Sequence, residues 1–269
     1  MNARLPTEVT LPPSKAPKWR EERVIRSWQW TPQLVSFRIS RDPGYHFVPG
    51  RYARLGLPDA SGDVVWRPFS MVSAEHDDFL EFLVVLVEGG EFSRGMETLK
   101  VGDPVLVEKA SFGFLTLDQL AAGDTLWMLA SGSGLGPFLS ILRDQTPWRS
   151  FKHLVLVHSV RQAADLAYRE DIIAMREAHA AVGIGADLRY FPVVTREAMR
   201  GALAARIPQL VEDGRLETAA GLTLDLKKSR VMVCGNPELA QDMRRLLAAR
   251  GFATSRRGVP GQMAFEKYW

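Results

Sequence analysis

The sequence of 269 residues contains a single cysteine, Cys234. One cysteine cannot form an intramolecular disulfide bond, which suits a reducing compartment, and we expect the protein to be cytoplasmic. Iron–sulfur clusters and cysteine-type zinc sites need several cysteines, so we expect no metal in this protein. The sequence also lacks a run of about 18 apolar residues and therefore predicts no membrane-spanning helix.

Neither sign of charge dominates the sequence, which has 34 Lys and Arg against 31 Asp and Glu and a net charge of +3. Such a balance is compatible with an acidic protein partner but is not typical of a nucleic-acid-binding protein, and we expect no nucleic-acid partner. Residues 1–18 are rich in proline and lack the apolar core of a signal peptide, so we predict a flexible N-terminal extension there.

The stretch from residue 19 to residue 120 has the pattern of many short strands. The segment "ERVIRSWQWTPQLVSFRIS" alternates apolar and polar residues, and turn signals such as "DPG", "VPG" and "VGDP" follow at short intervals. Only "SRGMETLK" resembles a helix. The pattern predicts a small antiparallel β-barrel domain over residues 19–120.

Beyond residue 120 buried strands alternate with helical segments. The predicted strands are "DTLWMLAS", "HLVLVHSV", "DLRYFPVVTRE" and "SRVMVCGNP", each followed by a helical segment. Alternation of this kind predicts an α/β domain with a parallel sheet covered on both faces. We therefore predict a second domain over residues 121–269, with the boundary near residues 117–124.

The residues that follow the strands of the predicted parallel sheet favour a nucleotide site, because ligands bind outside the carboxyl ends of such strands. The first strand is followed by the glycine-rich "GSGLGP", the second by Arg161, and the third by Thr195 and Arg196 with Arg206 further on. Glycines allow a close approach to a pyrophosphate, and arginines suit a ribose 2′-phosphate. A plain tight turn and solvated surface arginines remain the alternatives.

Two motifs in the first half favour a second cofactor. In "RPFS", Arg67 can neutralise a pyrophosphate, Phe69 can stack on a planar ring, and Ser70 can form a hydrogen bond to a ring nitrogen. In "EGGEFSRGM", Ser93 can cap a short helix whose start would face an anion. The alternatives are a core position for Phe69 and a simple capped turn at Ser93.

The motifs "RPFS", "GGEFS", "ASGSGLGP", "VCGNP" and "EKYW" follow one another in this order. Together they resemble the ferredoxin/flavodoxin–NADP reductases of the bacterial type, over nearly the whole stretch from Trp19 to Trp269. The resemblance implies an FAD-binding antiparallel barrel joined to a Rossmann-like NADP-binding domain, in agreement with the strand patterns. It implies FAD as cofactor and NADPH or NADP+ as substrate.

The resemblance also implies a set of site residues. The implied FAD contacts are Arg67, Pro68, Phe69, Ser70, Leu83, Val84, Val85, Leu86, Glu91, Phe92, Ser93, Ser133, Phe265, Tyr268 and Trp269. The implied NADP contacts are Gly134, Val160, Arg161, Thr195, Arg196, Arg206, Asn236, Pro237 and Glu238. Ser70 and Cys234 are the residues that we expect nearest to the chemistry, although a buried Cys234 can also be a small apolar core residue.

The implied activity is electron transfer between NADPH and ferredoxin or flavodoxin, with hydride transfer to flavin N5 followed by single-electron steps. We expect a monomer. A reductase component of an oxygenase and a free-flavin reductase share the fold and stay open, as does a non-catalytic nucleotide sensor. Phe69 replaces the tyrosine usual in the family, so stacking is retained but a hydrogen bond from a phenol to FAD is lost.

The segment "MAFEKYW" carries three aromatic residues, Phe265, Tyr268 and Trp269. One interpretation is a terminus that docks into the core. The resemblance favours another, in which the tail covers FAD, with Trp269 against the adenine and Phe265 near the second face of the flavin ring. The correspondence of Glu266 to a glutamate found in plant-type members stays open.

Overall fold

The computed structural model of the protein describes residues 17–183, 185–256 and 258–267, and of these Lys267 is described by its backbone alone. These residues form a six-stranded antiparallel sheet in the order β4-β3-β6-β1-β2-β5 and a five-stranded parallel sheet in the order β11-β10-β7-β8-β9. Both predicted sheet types are therefore confirmed. Among the helices formed by the described residues, none has the length and apolar character needed to cross a membrane.

The first sheet is built from the first half of the chain. Its strands and the helix between β5 and β6 are β1 (Trp19–Thr31), β2 (Leu34–Ser40), β3 (Tyr52–Pro58), β4 (Val64–Ser70), β5 (Phe79–Val85), α1 (Glu91–Thr98) and β6 (Pro104–Glu108). The sheet curls so that its two edge strands, β4 and β5, approach each other. Just after β4, the N–H of Val72 donates to the carbonyl of Glu81 in β5 at 2.8 Å. Phe37 and Phe82 fill the enclosed core with ring centroids 5.5 Å apart.

The second half of the chain forms a sheet with helices on both faces. Its elements are β7 (Thr125–Ser131), α2 (Gly136–Leu142), α3 (Thr146–Ser150), β8 (His153–Val160), α4 (Arg169–Val182), β9 (Asp187–Val194), α5 (Ile207–Glu212), α6 (Arg215–Ala220), β10 (Ser229–Gly235), α7 (Pro237–Ala249) and β11 (Met263–Lys267). One face packs on α2, α3 and α4, and on the first sheet. The other packs on α5, α6 and α7.

The structure differs from the sequence patterns at three places. The segment Met263–Lys267 forms the parallel edge strand β11 beside β10, which the sequence did not predict because its partner is distant in the chain. The short helices α3 and α6 were also not predicted. The capping role predicted for Ser93 is wrong, because Gly90 is the residue that precedes α1, and the Ser93 hydroxyl accepts from Val87 N–H at 2.8 Å instead.

Buried polar contacts fix the two halves against each other. The carboxylate of Glu81 in β5 is fully buried, and it accepts from Arg143, which follows α2, at 3.3 Å. The hydroxyl of Tyr168, the residue before α4, donates to the hydroxyl oxygen of Ser36 in β2 at 2.7 Å. Glu81 also pairs with Arg38 at 2.5 Å, so its carboxylate is held from both halves. A buried polar group that loses a partner destabilises the fold, so these contacts hold one orientation of the two sheets.

Candidate active site

A cavity of about 920 Å³ lies between the two sheets. On one side it is closed by the carboxyl ends of four parallel strands, and on the other by the β1–β2 hairpin and the end of β5. The lining residues that the sequence had singled out are Val85, Leu86, Ser133, Val160, Arg161, Thr195, Arg196, Arg206, Asn236 and Glu238. The volume is in the range of sites for small molecules and cofactors.

Three arginines converge on this cavity, as the positions after the strands led us to expect. Arg161 follows β8 and Arg196 follows β9, and the N–H of Arg196 donates to the carbonyl of Arg161 at 2.9 Å. The N–H of Thr195 donates to the carbonyl of Val160 at 3.1 Å. The two strand ends thus stay paired up to the arginines, which places both guanidinium groups at one edge of the sheet.

The glycine-rich turn after β7 packs directly onto the end of β10. A Cβ atom at Gly134 would overlap with the carbonyl oxygen of Cys234, so glycine is needed for this close approach. The turn is also held by His158 of β8, whose Nε2 lies 3.1 Å from the carbonyl oxygen of Gly132. Burial lowers the pKa of His158 to about 4, so the ring is neutral near pH 7 and donates this hydrogen bond.

The start of α7 forms another wall of the cavity. The side chain of Asn236 accepts from the N–H of Leu239 at 2.8 Å and caps the helix, and Pro237 occupies its first position. Glu238 follows and forms an ion pair of 2.7 Å with Arg206. This hydrogen bond lowers the pKa of Glu238 below its ordinary value and raises the pKa of Arg206.

The residues of the "RPFS" motif lie on the edge strand β4. Arg67 and Pro68 are exposed, whereas Ser70 is buried and lies opposite Tyr52 of β3. Phe69 is half-buried, with its ring centroid 4.9 Å from that of Phe92 in α1. It therefore packs on the core of the first sheet, and part of its ring stays accessible for stacking.

The other predicted FAD residues are spread over β5 and α1. Leu83 is buried in the core shared by the two halves, and Val84 is buried in the core of the first sheet. Val85 and Leu86 reach the cavity. In the segment Glu91–Ser93, Glu91 is exposed at the start of α1, while Phe92 and Ser93 are buried.

The structure does not bring Phe265 to the side of the sheet where a flavin is expected. Its side chain lies on the α7 face, where Arg244 stacks over the ring at 4.5 Å from the centroid. The alternation of side chains along β11 instead directs Glu266 to the face of Cys234, its register partner. Tyr268 and Trp269 lie outside the described residues.

Glu266 is a buried carboxyl group that the sequence patterns did not assign to the site. Its Oε2 has no hydrogen-bond partner among the described residues, and burial raises its pKa to about 8. Its charge in turn adds to the effect of burial in raising the pKa of Tyr52. Cys234 beside it is fully buried in the core between the two sheets.

The residues at the cavity fit a flavin dinucleotide and a phosphorylated nicotinamide nucleotide. Four buried side-chain oxygens have no partner within the described part of the chain, and one of them, Oγ1 of Thr31, lines the cavity, while another, Oε2 of Glu266, lies on the strand beside β10. Unpaired buried polar atoms are rare in native proteins and indicate a place for a bound group. Arginines that line the cavity add the donors that phosphates require.

Several lining residues were not found from the sequence. They are Thr31, Gln33, Leu34, Ser131, Ser159, Gln162, Asp165, Ile207, Pro208, Gly235 and Leu239, whereas Gly132 belongs to the glycine-rich turn that the sequence had indicated. The hairpin residues Thr31 and Gln33 reach the cavity only because the first sheet packs on the second, and no local pattern signals that. Ser131 and Gly235 adjoin predicted residues, so the strand-end rule would have included them.

An antiparallel sheet with a flavin-type motif, joined to a parallel sheet whose strand ends carry arginines, defines a two-domain oxidoreductase that binds a flavin and a pyridine nucleotide. Two family models match in agreement with this, the oxidoreductase FAD-binding domain over residues 27–114 and the oxidoreductase NAD-binding domain over residues 128–245.

The relatives of this chain narrow the class further. Ferredoxin–NADP reductase A of Sorangium cellulosum is 37% identical over 93% of this chain and 90% of its own length, and the flavodoxin/ferredoxin–NADP reductase of Escherichia coli is 38% identical over 93% and 99%. A crystal structure of a ferredoxin NADP+ reductase from Neisseria gonorrhoeae with bound FAD and NADP has a TM-score of 0.87 and 35% identity, and the match covers 94% of this chain and all of that one. The chain belongs to the ferredoxin–NADP reductase family.

Proposed function

We propose that this protein is an oxidoreductase that transfers electrons between NADPH and ferredoxin or flavodoxin through FAD. The observation that carries this proposal is the meeting of Arg161, Arg196 and Arg206 at one cavity between the two sheets. A cluster of guanidinium groups at the carboxyl edge of a parallel sheet suits a 2′-phosphate and disfavours a nucleotide that lacks it.

The cavity offers NADPH a place for each of its polar parts. The arginines would bind the 2′-phosphate, and the glycine-rich turn at Gly132 and Ser133, where no atom of the described residues would meet a Cβ of Gly132, leaves room for the pyrophosphate. Asn236 and Pro237 hold the start of α7 at the opposite wall. The end of β10, where Cys234 and Glu266 lie side by side, would then be available to the nicotinamide end of the nucleotide.

The first sheet supplies the residues that would hold FAD. Arg67 offers a cation to its pyrophosphate, the half-buried ring of Phe69 offers a stacking surface, and the buried Ser70 offers a hydroxyl close to the second sheet. When bound, FAD accepts a pair of electrons as hydride and passes them on singly, which is what a one-electron carrier requires. The protein contributes position and electrostatics.

Glu266 and the surrounding core control protons and water at the site. Because its pKa is raised to about 8, the Glu266 carboxyl holds a proton near pH 7, at the position next to Cys234. A neutral carboxyl there adds no negative charge to this end of the site. The fully buried Cys234 and its apolar neighbours exclude water from this end of the cavity.

The absorbance spectrum of the purified protein tests the proposal. We expect flavin bands, and we expect NADPH to bleach them much faster than NADH. A folded protein that takes up no FAD would contradict the proposal. Parallel assays with ferredoxin, flavodoxin and free FMN as acceptors then separate the proposed activity from that of an oxygenase component or a free-flavin reductase.

We further propose that the protein acts in the cytoplasm as a monomer, with FAD bound by residues 19–120 and NADP by residues 121–269. The single cysteine supports a reducing compartment, and the net charge of +3 is compatible with an acidic protein partner. Light scattering of the FAD-loaded protein tests the monomer. Limited proteolysis followed by mass spectrometry tests the division near residue 120.

A further inference from the structure

One of the three arginines at the cavity already has an anionic partner. Nη1 of Arg206 lies 2.7 Å from Oε1 of Glu238, and both side chains line the cavity. In the part of the chain that the structure describes, no ion pair is recorded for Arg161 or Arg196. The site therefore presents two arginines without an ion-pair partner and one that is paired with a carboxylate.

The carboxylate of Glu238 occupies a position beside Arg206 that a phosphate oxygen would otherwise take. It lies in the first turn of α7, where a negative charge is favoured, and pairing with Arg206 lowers its pKa. Arg206 lies directly before α5, and Ala205 ahead of it has a φ of 129°, a conformation that costs a non-glycine residue energy. The fold keeps this conformation although it is strained, and Arg206 next to it lines the cavity together with Glu238.

The pair is exposed enough to be exchanged. The Arg206 side chain is 52% exposed and that of Glu238 is 65% exposed. Ion pairs of this kind contribute little to stability, so a phosphate with two negative charges can replace the carboxylate.

We propose that Glu238 is a specificity-determining residue that competes with the 2′-phosphate of NADP for Arg206. In the free protein Glu238 accepts from Nη1 of Arg206, and the phosphate has to displace the carboxylate to take that donor. Glu238 thereby lowers the affinity for NADP without affecting a nucleotide that carries no 2′-phosphate. This inference rests on the proposed use of NADPH.

A double-mutant cycle measures the competition directly. Wild-type protein, Glu238→Gln, Arg206→Gln and the double variant, each loaded with FAD, are titrated calorimetrically with NADP+ and with NAD+. We expect Glu238→Gln to bind NADP+ about threefold to fivefold more tightly, a gain that shrinks in high salt, while its affinity for NAD+ stays unchanged. In the Arg206→Gln background the same change should have no effect on NADP+.

Asp242 provides the matched control, because it lies on α7 and acts on Arg206 only through space. Asp242→Asn should tighten NADP+ binding by less than Glu238→Gln does. The inference is overturned if Glu238→Gln binds NADP+ no more tightly than the wild type, or if the gain persists without Arg206. The wild type is a separate test: equal affinity for NADP+ and NAD+ there would overturn the proposed nucleotide preference instead.

Discussion

Cys234 and Glu266 lie side by side in the parallel pair of β10 and β11, on the face of the second sheet that packs toward the first. Phe265, the residue before Glu266, faces the opposite side of the sheet, where its ring packs under Arg244. The segment that looked like an aromatic tail is therefore a strand that delivers a carboxyl group to the site. The register of this strand decides which residue can reach the cofactors.

Replacement of Glu266 should change how stability depends on pH. The pKa of Glu266 is raised from 4.5 to about 8 by burial, so between these values the folded protein keeps a proton that the unfolded chain releases. The stabilisation is complete below pH 4.5 and is lost as pH rises through 8. Glu266→Gln should therefore gain on the order of 4 kcal/mol relative to wild type between about pH 5 and about pH 9.

Urea unfolding at several pH values measures this difference. Glu177→Gln, a change at an exposed position on α4, serves as the control and should follow the wild type at every pH. Parallel loss of stability in wild type and Glu266→Gln as pH rises would show that the carboxyl is ionised throughout.

His158 predicts a second pH effect with the opposite direction. Burial lowers its pKa from 6.5 to about 4, so the unfolded chain takes up a proton in this range and the folded protein does not. The stabilisation is present above pH 6.5 and is lost as pH falls through about 4. His158→Gln can still donate to the Gly132 carbonyl but does not titrate, so the wild type should lose roughly 3 kcal/mol more than the variant on acidification. Urea titrations followed by circular dichroism at several pH values measure this difference in the free energy of unfolding.

Removal of the arginines at the cavity should erode the preference for NADPH. Arg161→Ala, Arg196→Ala and Arg206→Ala each remove a charged hydrogen bond to the 2′-phosphate. We therefore expect each variant to have a lower kcat/KM for NADPH, equivalent to a loss of roughly 1.5–3 kcal/mol of transition-state stabilisation. The values for NADH should change little. Arg245→Ala, at an exposed position on α7, is the control. Unchanged NADPH kinetics in all three variants would reject the phosphate site.

The sequence predicted best what is set by local pattern and by the geometry of parallel sheets. The bounds of β8 follow its continuous apolar run, and the meeting of Arg161 with Arg196 follows from the shared edge of neighbouring strands. It failed where distant parts of the chain pack together. Thr31 reaches the cavity only through contact between the two sheets, and β11 pairs with a strand about 30 residues earlier.

The pairing of Arg206 with Glu238 could not be predicted either, since it joins residues that are 32 positions apart. Sequence patterns show that a charge follows a strand, but the partner of that charge depends on side-chain placement in the folded protein. The same limit applies to Phe69, for which core packing and flavin stacking were both open. The structure shows a half-buried ring against Phe92, a position compatible with both interpretations.

Deletion of Tyr268 and Trp269 separates the two interpretations of the tail. The preceding strand β11 is held by its pairing with β10 and packs Met263 and Ala264 into the cores on its two faces, so the fold should not need the last two residues. If these aromatics cover FAD, the shortened protein should keep its cooperative unfolding but lose flavin on gel filtration, because stacking area is removed.

The ratio of flavin absorbance to protein absorbance, measured after gel filtration, gives FAD retention, and thermal unfolding of the FAD-free protein gives the stability of the chain itself. Phe265→Leu provides the comparison, since its side chain faces α7 and should affect unfolding more than flavin retention. A truncated protein that unfolds more readily while its folded fraction keeps FAD would favour a tail that serves the core, and would leave Phe69 to provide the stacking surface alone.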